Sequence, residues 1–122
     1  CIKVWGSGKP LREFLHVYDL AEAILFILIN INAKDVYNKG ISHINIGSGE
    51  EVSINQLAFL IKEIAEYEGE IKFDKSKPDG TPRKLVDISF LSSRGWVSKI
   101  KLEQGLRDLY DLYIKRKKTF NN

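Results

Sequence analysis

Two of the three prolines fall four positions apart, in Lys77-Pro78-Asp79-Gly80-Thr81-Pro82-Arg83-Lys84-Leu85-Val86-Asp87. Each proline fixes φ near −65° and removes a backbone donor, so no regular helix or central strand can run through this stretch. Asp79-Gly80 between them is a turn dipeptide. The segment is therefore a stiff, shaped loop. With Lys75 it carries four basic side chains, Lys75, Lys77, Arg83 and Lys84, and it presents Asp79, Arg83 and Lys84 in fixed directions. Such a loop suits phosphate groups, because the charge is placed in advance and little entropy is lost on binding. An exposed turn with ordinary solvated lysines reads the same residues equally well.

A second loop lies upstream. Ile2-Lys3-Val4-Trp5 reads as a short strand, Gly6-Ser7-Gly8-Lys9-Pro10 as a turn cluster, and Glu13 to Val17 as a second strand, forming a hairpin with the first. The turn is not a P-loop, since the second glycine and the Lys-Ser/Thr pair are missing. Trp5 and Arg12 flank it. An aromatic plane near a guanidinium fork can serve a nucleotide, the ring offering an apolar face and the fork gripping phosphate oxygens. A half-buried strand aromatic and a surface ion pair with Glu13 are the alternatives.

Further along, Asp19 is expected to N-cap a helix that is apolar on most sides, Leu20 to Ile31, packed between a sheet and another layer. His16, with no base or nucleophile near it in sequence, reads as a buried histidine hydrogen-bonded to backbone. Residues 32–42 read as a connecting loop and His43-Ile44-Asn45-Ile46-Gly47 as a strand entering a tight turn at Gly47-Ser48-Gly49. Ser53 with Gln56 forms a capping box for a helix whose stripe is Leu57, Leu60, Ile61, Ile64 and Ala65, ended by Gly69. A strand over Glu70 to Asp74 precedes the proline loop. Asp87 then starts a short element closed by Gly95-Trp96, with Trp96 as a packing residue. A last helix runs from about Leu102 to Lys117, and 119–122 is expected to fray.

The order is mixed α/β and unfinished, as for a smaller substrate lobe with an element or two that would complete a parallel sheet elsewhere. Without any methionine among its 122 residues, the chain reads as the C-terminal part of a longer protein. A hydrophobic content of 43% against 29% charged is that of a globular domain. No apolar run reaches bilayer length, and no secretory signal opens the chain. The single cysteine, Cys1, excludes an internal disulfide. A net charge of +3 owes much to Lys115-Arg116-Lys117-Lys118. That run complements a helix dipole, and no aromatic-interleaved basic sheet or zinc spacing points to nucleic acid.

Taken together, the Trp5 to Val17 stretch, Asp19-Leu20-Ala21 and the Lys77 to Asp87 loop resemble the GDP-L-fucose synthases. These are epimerase–reductases of the extended short-chain dehydrogenase/reductase family, and the resemblance covers nearly the whole chain. It implies an α/β fold, with residues 1–118 as the C-terminal substrate-binding lobe and elements completing a Rossmann sheet whose main part is absent. It implies conversion of GDP-4-keto-6-deoxy-D-mannose to GDP-L-fucose by epimerisation and reduction with NADPH, in the cytoplasm, by a homodimer. By position, Trp5 would line the GDP site and Arg12 would bind its phosphates. Asp79 would hydrogen-bond the nucleotide or its ribose, with Lys84 a nearby cationic contact. Tyr18 stands where the family more often has an acidic residue.

The catalytic and cofactor residues of the family have no counterparts here, and no metal site is expected. There is no glycine fingerprint after an early strand. Tyr113 and Lys117 have Tyr-x-x-x-Lys spacing but lie on the terminal helix, and Cys1 does not match the family's cysteine. NADP(H) would belong to an N-terminal Rossmann lobe, and this part alone is expected to be inactive. A substrate lobe for a UDP- or dTDP-sugar epimerase or dehydratase is the alternative that the Arg12 to Ala21 region allows. A stand-alone, non-enzymatic binding module is the third.

Overall fold

The computed structural model describes residues 1–120. Two small sheets and five helices share it. Strand β1, Ile2–Trp5, pairs in parallel with β4, Ile71–Asp74, with Ile2 opposite Ile71 and Trp5 opposite Asp74. The second sheet has the order β3-β2-β5, built from Glu51–Ser53, Leu11–Glu13 and Arg83–Lys84. Its central strand β2 runs antiparallel to β3 and parallel to β5.

The expected hairpin between the first two strands does not form. Gly6 and Gly8 both take positive φ and carry the chain out of the first sheet, so β2 enters the middle of the second. A hairpin would have given β2 one partner, whereas the observed place satisfies both of its edges. The strand expected over Glu13 to Val17 is shorter and earlier, because Val17 already belongs to helix α1, Val17–Asn30. The cap of α1 is His16, whose Nδ1 accepts the Tyr18 N–H at 3.2 Å, and not Asp19. His16 is thus held to backbone as expected, but as the cap itself and only half-buried.

Asp19 does different work. It is 2% exposed, and its two oxygens accept the N–H groups of Lys99 (3.2 Å) and Ile100 (2.9 Å). One carboxylate so ties the start of α1 to the segment that leads into α5, Leu102–Phe120. The core forms around Ala23, Leu91 and Trp96, with Leu15, Phe26, Ile27, Ile31, Ile44, Ile46 and Phe90 packed against them. Leu91 comes from the short helix α4, Ser89–Ser93, opened by Asp87 accepting the Ser89 N–H. Trp96 packs as expected. Its Nε1 meets no acceptor among the described residues, so its contribution is apolar contact alone.

Three other expectations need correction. Residues 32–42 contain helix α2, Ala33–Tyr37, in which Asp35 accepts the Asn32 N–H at 3.0 Å and binds Arg94 at 3.1 Å. Helix α3, Ile54–Ile64, has the expected Ser53/Gln56 box, but Glu66 at φ 51° takes the left-handed position after it and Gly69 does not. Residues 43–47 form no strand, and the turn at Gly47 to Gly49 leads into β3 before α3 begins. The last helix runs through Phe120. Of the tail expected to fray, Asn121 and Asn122 lie outside the described residues.

The surface is large for the mass. It measures 9036 Å², against about 6700 Å² for a compact monomer of 14.0 kDa. Large hydrophobic side chains are exposed along the chain. α1 turns Asp19 and Ala23 inward but leaves Ile24, Leu25, Leu28 and Ile29 uncovered, the last two 74% and 78% exposed. The expected second layer over α1 is thus not supplied by these residues. An apolar groove of about 430 Å³ lies open between α3 and α5, walled by Ile61, Leu109 and Tyr113.

Because Asp19 satisfies two buried backbone donors, D19A should destabilise the protein by about 3 kcal/mol, the scale of hydrogen bonds to a charged group. D19N, which keeps one acceptor oxygen, should cost less. Urea unfolding checks this through a lower midpoint at unchanged slope.

Candidate functional site

Residues 5–12 and 77–84 lie side by side and hold all four residues singled out above. Trp5 ends β1 with its ring 72% exposed, so it is not the half-buried strand aromatic. Lys77 Nζ stands 5.7 Å from the centre of that ring. Arg12 occupies the middle of β2, opposite Lys84 of β5 in register. Its guanidinium is not paired with Glu13. One terminal nitrogen donates to the carbonyls of Leu11 (2.6 Å) and Thr81 (2.7 Å). The other lies where Gly80 has no side chain; a Cβ there would come within 3.0 Å. The proline-bounded loop therefore aims Arg12 through a main-chain oxygen and leaves its charge uncancelled. Lys77 and Lys84 likewise meet no carboxylate among the described residues. Arg83 is different: it binds Glu51 through Nε at 2.8–2.9 Å and through a terminal nitrogen at 2.7 Å. The Arg83 guanidinium beside Glu51 holds that carboxyl below the usual range.

Asp79 is the residue whose setting sequence reasoning missed. Both of its oxygens are taken up by Ser7, Oδ1 accepting the backbone N–H at 2.7 Å and Oδ2 the hydroxyl at 2.6 Å. Gly6, at φ 82°, permits this approach, since any Cβ there would collide with Asp79 Oδ1. The Ser7 hydroxyl, then its backbone N–H, then the charge of Lys9 favour the ionised carboxylate and lower its pKa from 3.8. Nothing in the spacing of Ser7 and Asp79, 72 positions apart, could have revealed the pair.

Glu13 was also invisible as more than a possible partner of Arg12. Its Oε1 accepts the Gly49 N–H at 2.6 Å and its Oε2 the Val86 N–H at 3.3 Å. A Cβ on Gly47 would strike the same carboxylate. Each of the two Gly-Ser-Gly turns thus wraps one of the chain's own carboxylates, Asp79 in one and Glu13 in the other. Neither opens a helix toward a phosphate, and each runs instead into a strand. These residues do not fit a dinucleotide cofactor. Cys1 is exposed, and Tyr113, 57% exposed, sits on α5 beside the apolar groove. Among the described residues no cluster of three or more His, Cys, Asp or Glu could hold a metal, and no helix is long and apolar enough to cross a membrane.

Trp5, the uncancelled cations Arg12, Lys77 and Lys84, and the pinned Asp79 carboxylate thus share adjoining loops. Residues 1–47 of the chain match the NAD dependent epimerase/dehydratase family. More narrowly, it is homologous over nearly its whole length to the C-terminal part of the GDP-L-fucose synthases. It is 54% identical to GDP-L-fucose synthase 1 of Arabidopsis thaliana over 114 residues, 93% of this chain and 33% of that protein. It is 42% identical to GDP-L-fucose synthase of Escherichia coli over 98% of this chain and 38% of the relative. Among solved structures, a GDP-6-OMe-4-keto-L-xylo-heptose reductase from C. jejuni superposes with a TM-score of 0.87 at 39% identity, over 93% of this chain and 34% of the other. A GDP-L-fucose synthetase from Naegleria fowleri bound to NADP gives 0.81 at 30%, over 96% and 35%. The chain spans about a third of the length of the curated relatives it matches.

The Ser7–Asp79 contact has a testable pH signature. A carboxyl whose folded pKa is depressed keeps its contact above its ordinary value and loses it as pH falls through the lowered one. The Ser7 amide resonance should therefore move on acidification with a midpoint below 3.8. Heteronuclear NMR against pH checks this.

Proposed function

We propose that residues 1–118 form the GDP-sugar-binding lobe of an NADP-dependent epimerase–reductase that makes GDP-L-fucose from GDP-4-keto-6-deoxy-D-mannose. The observation that carries this is the Arg12 guanidinium, oriented by the Thr81 carbonyl and unneutralised, in register with Lys84. A diphosphate needs two cations whose charge is not already spent on carboxylates, and a rigid mount keeps the cost of ordering them low. Trp5 offers the apolar wall beside them, with Lys77 over its ring. Asp79, acceptor-only when ionised, suits hydroxyl or base N–H groups and not phosphate.

In this reading the lobe binds and orients the nucleotide, so that the sugar lies toward a cofactor held elsewhere in the protein. NADPH supplies the hydride for the reduction, and the proton transfers belong to side chains outside these residues. The open face of α1 and the unpaired segment 43–47 are the surfaces on which the remaining two-thirds of the relatives' length would pack. An uncovered apolar helix face is what a further layer of structure covers. A homodimer in the cytoplasm completes the proposal, on the strength of the family resemblance.

A second reading keeps GDP and changes the sugar. The likeness to a GDP-heptose reductase at 39% identity favours it over any UDP- or dTDP-sugar enzyme. Titration of the protein with GDP, UDP and dTDP tests the nucleotide, read by quenching of Trp5, since Trp96 is 4% exposed. GDP should bind at least about tenfold tighter than the others, and R12A should weaken it by about tenfold or more, the loss of a charge-assisted pair. Preference for UDP or dTDP would overturn the reading. NADPH oxidation on GDP-4-keto-6-deoxymannose against a GDP-4-keto-heptose then separates the two sugars.

A further inference from the structure

We infer that Ser7 is a positioning residue of this site, one that aims the Asp79 carboxylate at the ribose 2′,3′-diol of the bound nucleotide. The inference rests on the GDP-sugar reading above. Asp79 lies at the tip of a loop and has no other hydrogen-bond partner among the described residues, so Ser7 alone fixes its rotation. It does so from two directions, through N–H to Oδ1 and hydroxyl to Oδ2. The hydroxyl is itself oriented. Its oxygen accepts the Lys9 N–H at 3.2 Å, which leaves its proton for Asp79. A carboxylate has about four lone-pair sites, and two are used here. The remaining two lie in one plane, a fork that matches two neighbouring hydroxyl groups and nothing anionic. Gly6 closes the back of this holder, with no room for a side chain. Lys9 is the charged group facing the carboxylate, which it helps keep ionised and acceptor-only.

The test compares GDP with 2′,3′-dideoxy-GDP on the wild-type protein, S7A, S7T and R12A. S7A should weaken GDP about tenfold, the scale of one misdirected hydrogen bond to a charged group, and should leave dideoxy-GDP unchanged. S7T, which restores the hydroxyl, should return GDP affinity to within about twofold of wild type. R12A should weaken both ligands alike, because it meets the phosphates. Equal GDP affinity in S7A and wild type, or an equal loss for both ligands in S7A, overturns the inference while R12A still upholds the nucleotide site. No GDP binding by the wild type removes the nucleotide reading, and this inference with it. If S7A loses its fold by circular dichroism, D79N decides. Wild type must prefer GDP over dideoxy-GDP and D79N must erase most of that preference, and a preference that survives D79N overturns the inference.

Discussion

Strand β2 is only three residues long, and the rest of the site depends on where it lies. Both of its edges are hydrogen-bonded, to β3 on one side and to β5 on the other. It therefore joins the turn after β1, the entry to α3 and the end of the proline-bounded loop. The Leu11 N–H adds a bond to the Pro82 carbonyl, and the Pro10 carbonyl receives the Ile54 N–H. Remove this strand and Arg12 loses its mount, Lys84 its register and the cationic loop its anchor.

Carboxylates finish what the strand begins. Glu13 at its end gathers Gly49 and Val86, Asp19 gathers Lys99 and Ile100, and Asp79 gathers both donors of Ser7. Asp35 ties α2 to Arg94 after α4. The pattern has a physical reason. The buried hydrophobic side chains among the described residues are few, Ala23, Ile64, Leu91 and Trp96, so this lobe has little apolar volume to fix its loops. A carboxylate can hold two backbone donors at once, and such bonds are stronger than neutral ones. Rigidity at the site thus comes from polar pins, while the small core of Ala23, Leu91 and Trp96 fixes the helices.

Several features were legible without coordinates because they are local. The Ser53/Gln56 box depends on residues three apart, and the Asp87 start of α4 on residues two apart. The loop carrying Asp79, Arg83 and Lys84 was stiff by its prolines alone. What failed was long-range. The hairpin was expected because strands near in sequence usually pair, but β1 found its partner about seventy positions away. Asp19 looked like a cap from its neighbours, and its real donors lie eighty positions on. Residues 43–47 have the sequence of a strand but pair with none here, because a strand is completed by its neighbours.

The sequence by itself determined the chemistry available: which residues are cationic, which stretch is rigid and which helices are amphipathic. These follow from side-chain identity and from interactions within one turn of chain. Only the tertiary structure decided which charges are free. Arg83 is spent on Glu51, and Arg12 rests on a carbonyl and keeps its charge. Asp79 is bound at both oxygens by a serine from a distant turn. Neutralisation is a matter of distances of about 3 Å between groups dozens of residues apart, and only the folded chain sets those.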